Sequence, residues 1–82
     1  MSTWEFRVAT KDVTYGDETV KEYGIIEVYY DDQDEIEFHG GFKDPNGWND
    51  IEDLKITIDR MQQAFSKPIV GHLKEDGELK TD

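Results

Sequence analysis

Cysteine is absent from this chain of 82 residues, which excludes disulfides and thiolate metal sites and leaves a small fold dependent on packing alone. Bases are scarce as well: nine Lys and Arg stand against twenty Asp and Glu, for a formal net charge of −11. A chain so poor in cations lacks the groups that displace counterions from phosphate, so no direct contact with nucleic acid or with an anionic membrane is expected. No apolar run approaches the roughly 18 residues of a membrane span. The start, Met1-Ser2-Thr3-Trp4-Glu5, has neither the basic nor the apolar region of a signal peptide. A soluble, cytoplasmic protein is expected.

Catalytic side chains are equally sparse. The two histidines, His39 and His72, have no zinc-ligand spacing, and the two serines, Ser2 and Ser66, sit in no Gly-x-Ser-x-Gly elbow. His39-Gly40-Gly41 resembles the oxyanion segment of some esterases, but with no nucleophile to serve it reads as a strand or bulge. Asp31-Asp32-Gln33-Asp34-Glu35 gathers oxygen ligands; counted from Asp32, however, the sixth and twelfth positions of a calcium loop hold Glu37 and Lys43 instead of Gly and Glu. A solvated hairpin tip is the simpler reading. Among twenty carboxylates some pair always falls at a catalytic separation, so such pairs carry no signal. No catalytic residue, metal site or cofactor is nominated, and a non-enzymatic protein is expected.

What the chain does have is apolar surface in recognisable periods. Trp4 to Thr10 alternates apolar and polar as a half-buried strand does, and Glu22 to Tyr30 is dense in β-branched and aromatic residues. Asp31 to Asp34 reads as a hairpin connection, followed by a third strand from Ile36 to Phe42 that Gly40 and Gly41 loosen. Asp44-Pro45-Asn46-Gly47 signals a turn. From Asp50, a plausible N-cap, the period changes: Ile51, Leu54, Ile58, Met61 and Phe65 recur at steps of three and four, the core stripe of a helix that Lys67-Pro68 ends. Ile56 falls opposite that stripe and is expected to be exposed. The predicted fold is α+β: a three-stranded antiparallel sheet with one helix on one face, in the order β-β-β-α, as a single domain over residues 1–70. Residues 71–82, with only Leu73 and Leu79 to bury, are expected to form a charged, flexible tail.

The runs Trp4-Glu5-Phe6-Arg7-Val8, Ile26-Glu27-Val28-Tyr29-Tyr30-Asp31, Asp50-Ile51-Glu52-Asp53-Leu54 and Lys67-Pro68-Ile69-Val70, taken in order, resemble a family of short uncharacterised bacterial proteins. The resemblance implies the same strand-strand-strand-helix order and brings no activity with it.

The charge is unevenly placed. Between Asp12 and Glu37 there are ten carboxylates and one base, Lys21, whereas the remaining residues carry ten acids and eight bases. Acids on one strand face repeat at about 7 Å, close to the phosphate spacing along one DNA strand, also about 7 Å. The partner-binding residues expected on this ground are Glu22, Glu27, Asp31, Asp32, Asp34, Glu35 and Glu37, presented to a basic protein surface. In its sharpest form this predicts a nucleic-acid-mimicking inhibitor, for instance a phage product directed at a nuclease or CRISPR effector. The alternative is a structural or regulatory module, monomer or homodimer, that associates through Ile56, the tyrosines of strand two and an open sheet edge while its charge serves solubility.

Overall fold

A computed structural model of the chain describes residues 3–81. Five strands and one helix follow in the order β1 (Thr3–Tyr15), β2 (Glu18–Tyr30), β3 (Ile36–His39), α1 (Ile51–Gln63), β4 (Gly71–Leu73) and β5 (Leu79–Thr81), with a short 3₁₀ turn (Ala64–Ser66) continuing α1. They build one mixed sheet ordered β3-β2-β1-β4-β5. The expected three-stranded antiparallel sheet is therefore corrected: β4 pairs with β1 in parallel and β5 pairs back on β4, so the segment read as a tail supplies two strands.

The long β1–β2 hairpin is the frame. Its turn needs only Gly16 and Asp17 because Gly16 has φ +63°, the positive value that the first central position of a type II′ turn requires. Strand pairing consequently runs unbroken from Thr3↔Tyr30 to Tyr15↔Glu18, through the polar stretch on either side of the turn. A second kind of turn is used twice. In Asp31–Glu35 and again in Lys74–Glu78 the first residue's N–H bonds the fifth residue's carbonyl (2.8 Å in each) and the fourth residue's N–H bonds the first carbonyl. The fourth position has positive φ in both, filled by Asp34 (φ +60°) and by Gly77 (φ +90°), the left-handed residue of a three-residue hairpin loop. The Asp31 carboxylate adds bonds from the Gln33 and Glu35 N–H groups.

β3 stops at His39. Gly40 to Lys43 continue beside β2 through irregular bonds, Gly40 N–H to the Glu27 carbonyl and Lys43 N–H to the Ile25 carbonyl. Phe42 then lies across Gly24, where an added Cβ would come within 2.7 Å of the ring. α1 opens with Asp50, whose carboxylate accepts the Glu52 N–H at 2.9 Å, and ends before Pro68, with Lys67 already extended.

Because the two central strands carry apolar residues on both faces, the core has two halves. On one face Phe6, Val8 and Ile25 meet Met61 and Ala64 from α1 and the turn after it. On the other, Ala9, Ile26, Val28 and Leu73 are buried together, with Tyr30, Ile36, Val70 and Leu79 packed around them. Ile36 and Leu79 come from the two outermost strands and line one cleft together, so the sheet curls over this face. Curling replaces a second helical layer. The fully buried Ile26 and Val28 lie beneath it, each contributing about 1.5–3 kcal/mol in removed apolar surface.

A polar cluster fastens the crossover that leads to β4. Arg7 donates to the Tyr30 hydroxyl and to the Pro68 carbonyl, each at 2.9 Å, while the Tyr30 hydroxyl (2.6 Å) and the Lys67 ammonium both donate to Glu5. Burial pushes the Glu5 carboxyl up, but the bonds from Lys67 and Tyr30 and the charges of Lys67 and Arg7 outweigh it and hold the group below its ordinary value. Burial also pushes the Tyr30 hydroxyl up, with its bond to Glu5 adding and Arg7 opposing.

Two expected outcomes follow from this architecture. Leu73→Ala should cost about 2–5 kcal/mol, as core deletions do. Gly71→Ala, whose Cβ would overlap the Lys80 backbone carbonyl, should cost about 1–3 kcal/mol through overpacking. Urea midpoints check both, and a flexible tail would be indifferent to either change. Separately, Glu5 has a folded value below its unfolded one, so its contribution is complete above the unfolded value and is lost as pH falls through the folded one. Glu5→Gln should lower stability at neutral pH, and the gap from the parent should close in acid, measured by thermal unfolding across pH.

Candidate interaction surfaces

The carboxylates expected to act together are divided by the alternation of β2 and by its length. Glu22 lies on the sheet face shared with Ile26, while Glu27 lies on the helix side, opposite Phe6 in the register. Each accepts a tyrosine hydroxyl, Glu22 from Tyr15 and Glu27 from Tyr29 at 2.9 Å. Those bonds to carboxylates raise both tyrosines above their ordinary value. Asp31 is committed to its turn by the two backbone bonds it accepts. Asp32, Asp34 and Glu35 are exposed on the same turn, and Glu37 is the extra residue of a bulge, between the Tyr29↔Phe38 and Tyr30↔Ile36 pairs.

Asp31, Asp32, Asp34, Glu35 and Glu37 thus gather at the β2–β3 end of the molecule. Asp17 and Glu18 mark the other end of β2, about 40 Å away at the rise of an extended strand, which matches the longest extent of 41 Å. Glu22 and Glu27 belong to neither end. Among the described residues, the side chains of Asp17, Glu18, Asp34, Glu35 and Glu37 make no ion pair and no hydrogen bond. Four of the nine cations are engaged elsewhere: Arg7 and Lys67 hold Glu5, Lys74 pairs with Glu78, and Arg60 lies over the Trp4 ring at 5.5 Å. Glu37 also shares a shallow cleft with Glu78 of the β4–β5 turn, so the acidic end continues across the seam where the curled edges approach.

The second surface was not foreseen at its true position. The helical stripe expected to be core is split: Met61 is buried and Leu54 half-buried, together with Thr57 and Ala64, while Ile51, Ile58 and Phe65 are 71%, 38% and 69% exposed. Ile56 is exposed as expected, at 52%. The signal for the shift was the small residues Thr57 and Ala64, which let the helix approach β1 on a face one step away from its largest side chains. On the sheet, Trp4, Tyr29 and Phe38 stack across β1, β2 and β3 with ring centroids 6.1 and 4.6 Å apart. Their faces are spent on one another, which makes them a cross-strand brace.

A cleft of about 510 Å³ lies between Trp4 and the end of α1. Its charged groups are Arg60, set over Trp4, and the Glu5–Lys67 pair, so they already serve the fold. His72 bonds Thr10 through Nδ1 at 2.7 Å and faces Asp12 through Nε2 at 3.6 Å, which ties β4 to β1. No group of three or more potential metal ligands occurs among the described residues, and among them no helix is long and apolar enough to cross a membrane. The chain matches no protein-family model, no curated protein and no solved structure.

Proposed function

We propose that this chain is a non-enzymatic, cytoplasmic binding protein that engages a basic protein surface through its β2–β3 end. The observation that supports the reading is the set of exposed carboxylates there, Asp34, Glu35 and Glu37, which form no ion pair among the described residues. A charge left uncompensated within the molecule is available to a partner at no cost in broken ion pairs. Such a field speeds encounter with an oppositely charged surface and makes association sensitive to salt. Asp31 contributes by holding the turn that presents the others. A groove built for nucleic acid is one basic surface that such a concentration of carboxylates would enter, since it is lined with cations that otherwise meet phosphate. The sharpest form of the proposal is an inhibitor that occupies such a groove.

The test uses the chain with Asp34→Asn, Glu35→Gln and Glu37→Gln, Asp31 being kept because its carboxylate organises the turn. Nucleic-acid-binding proteins from a bacterial lysate should be retained by the immobilised parent at low salt and released by DNA or by raising salt. Affinity for a protein so identified should fall roughly tenfold or more in the triple variant, equivalent to about 1.4 kcal/mol. Retention indifferent to salt, to DNA and to the three substitutions would overturn the proposal.

A further inference from the structure

Ile51, Ile58 and Phe65 recur every seven residues. At 3.6 residues per turn Ile51 and Ile58 form one narrow strip along α1, beside the Leu54–Met61 line, and Phe65 extends it onto the 3₁₀ turn that continues the helix. Between them on the same side stand Lys55 and Gln62, while Glu52, Asp53 and Asp59 fall on other faces. This strip therefore contains no carboxylate, in a chain that carries twenty. Ile51, Leu54, Ile58, Met61 and Phe65 also have the spacing of alternate a and d positions in a heptad repeat, the pattern that receives another helix by knobs-into-holes packing. The domain's own sheet uses Leu54 and Met61 and leaves the intervening positions outside.

We propose that the strip is the interface of a symmetric dimer in which α1 packs antiparallel against α1 of a second copy. Three observations favour a second copy over another partner. The register is self-complementary: Ile58 lies midway between Ile51 and Phe65, so a two-fold axis at Ile58 sets Ile58 on its own mate and Ile51 against the partner's Phe65. The charge fits, because two chains of net charge −11 meet most readily where neither shows a carboxylate, whereas a basic partner would be drawn to the acids. The area fits as well. With roughly 150–250 Å² for each large side chain when fully exposed, the three residues offer on the order of 300 Å² of apolar surface per copy. That is the size of a functional patch, the apolar centre around which the stems of Lys55 and Gln62 and a polar rim would extend the contact. Antiparallel packing also opposes the two helix dipoles favourably. The inference does not depend on the acidic reading of the β2–β3 end.

Sedimentation equilibrium of the intact chain over a wide concentration range should show a monomer–dimer equilibrium that strengthens as salt screens the net charge. Ile58→Asp should weaken it by at least roughly tenfold, about 1.4 kcal/mol. Ile56→Asp, on another face, should leave it unchanged, and far-UV circular dichroism should show both variants folded. Since the chain has no cysteine, Ile58→Cys should cross-link to its mate on oxidation while Ile56→Cys does not. The triple variant at Asp34, Glu35 and Glu37 should dimerise like the parent, which separates failure of this inference from failure of the partner-binding proposal. A chain that stays monomeric at every concentration, or a dimer that survives Ile58→Asp, would overturn it.

Discussion

Everything in this molecule hangs on a β1–β2 hairpin that is apolar on both of its faces. One face presents Phe6, Val8 and Ile25, the other Ala9, Ile26 and Val28, and neither set is stable against water alone. The described residues have one α-helix to offer. It covers the first face with Met61 and Ala64, and the second is closed by drawing in both sheet edges, Ile36 from β3 and Leu73 and Leu79 from β4 and β5. The demand for two covers explains why the final segment is folded and why the sheet is curled.

The polar cluster of Glu5, Arg7, Tyr30 and Lys67 is the hinge of this solution. It sits where the chain leaves the helix, and Arg7 takes hold of the Pro68 carbonyl two residues before Val70 joins Val8. Charged partners at a half-buried site fix geometry more than they add net stability, and the geometry fixed here is the point at which β4 enters beside β1. The same arrangement absorbs cations that would otherwise offset the acids. With Arg7 and Lys67 on Glu5, Lys74 on Glu78 and Arg60 over Trp4, the β2–β3 end keeps its charge. The helix meanwhile retains an apolar strip free of carboxylates. Two surfaces of opposite character thus arise from one economy of residues, and each is suited to a different kind of contact.

Much of the architecture was legible in local patterns. The alternation of Trp4 to Thr10, the β-branched and aromatic run ending at Tyr30, and the Asp50 cap with its first-turn acids lie where the strands and helix are found. The missed strands show where such patterns lose force. Asp76-Gly77 between Leu73 and Leu79 is a hairpin signal, but strands of three residues have no periodicity to display, and they form only because β1 offers a free edge and Ala9, Ile26 and Val28 need a cover. The distal arm was hidden in another way: Thr14 to Glu18 looks like a loop by composition, yet a two-residue turn at Gly16 lets the pairing run to its tip. The acids were legible as a number and a position, not as a surface, because alternation places Glu22 and Glu27 on opposite faces and tyrosines take up both.

By itself the sequence determined the net charge, the absence of thiols, the hairpin frame and the existence of one amphipathic helix, since each follows from composition or from a period that neighbouring residues complete. Tertiary structure alone decided which half of the helical stripe is buried, which carboxylates stand free, and how the second sheet face is closed. Those outcomes depend on contacts between residues far apart in the chain, such as Ile36 with the cluster that holds Leu73, Lys67 with Glu5, and Ala64 with Val8, and no local pattern encodes a pairing whose partners come together only when the whole chain has folded.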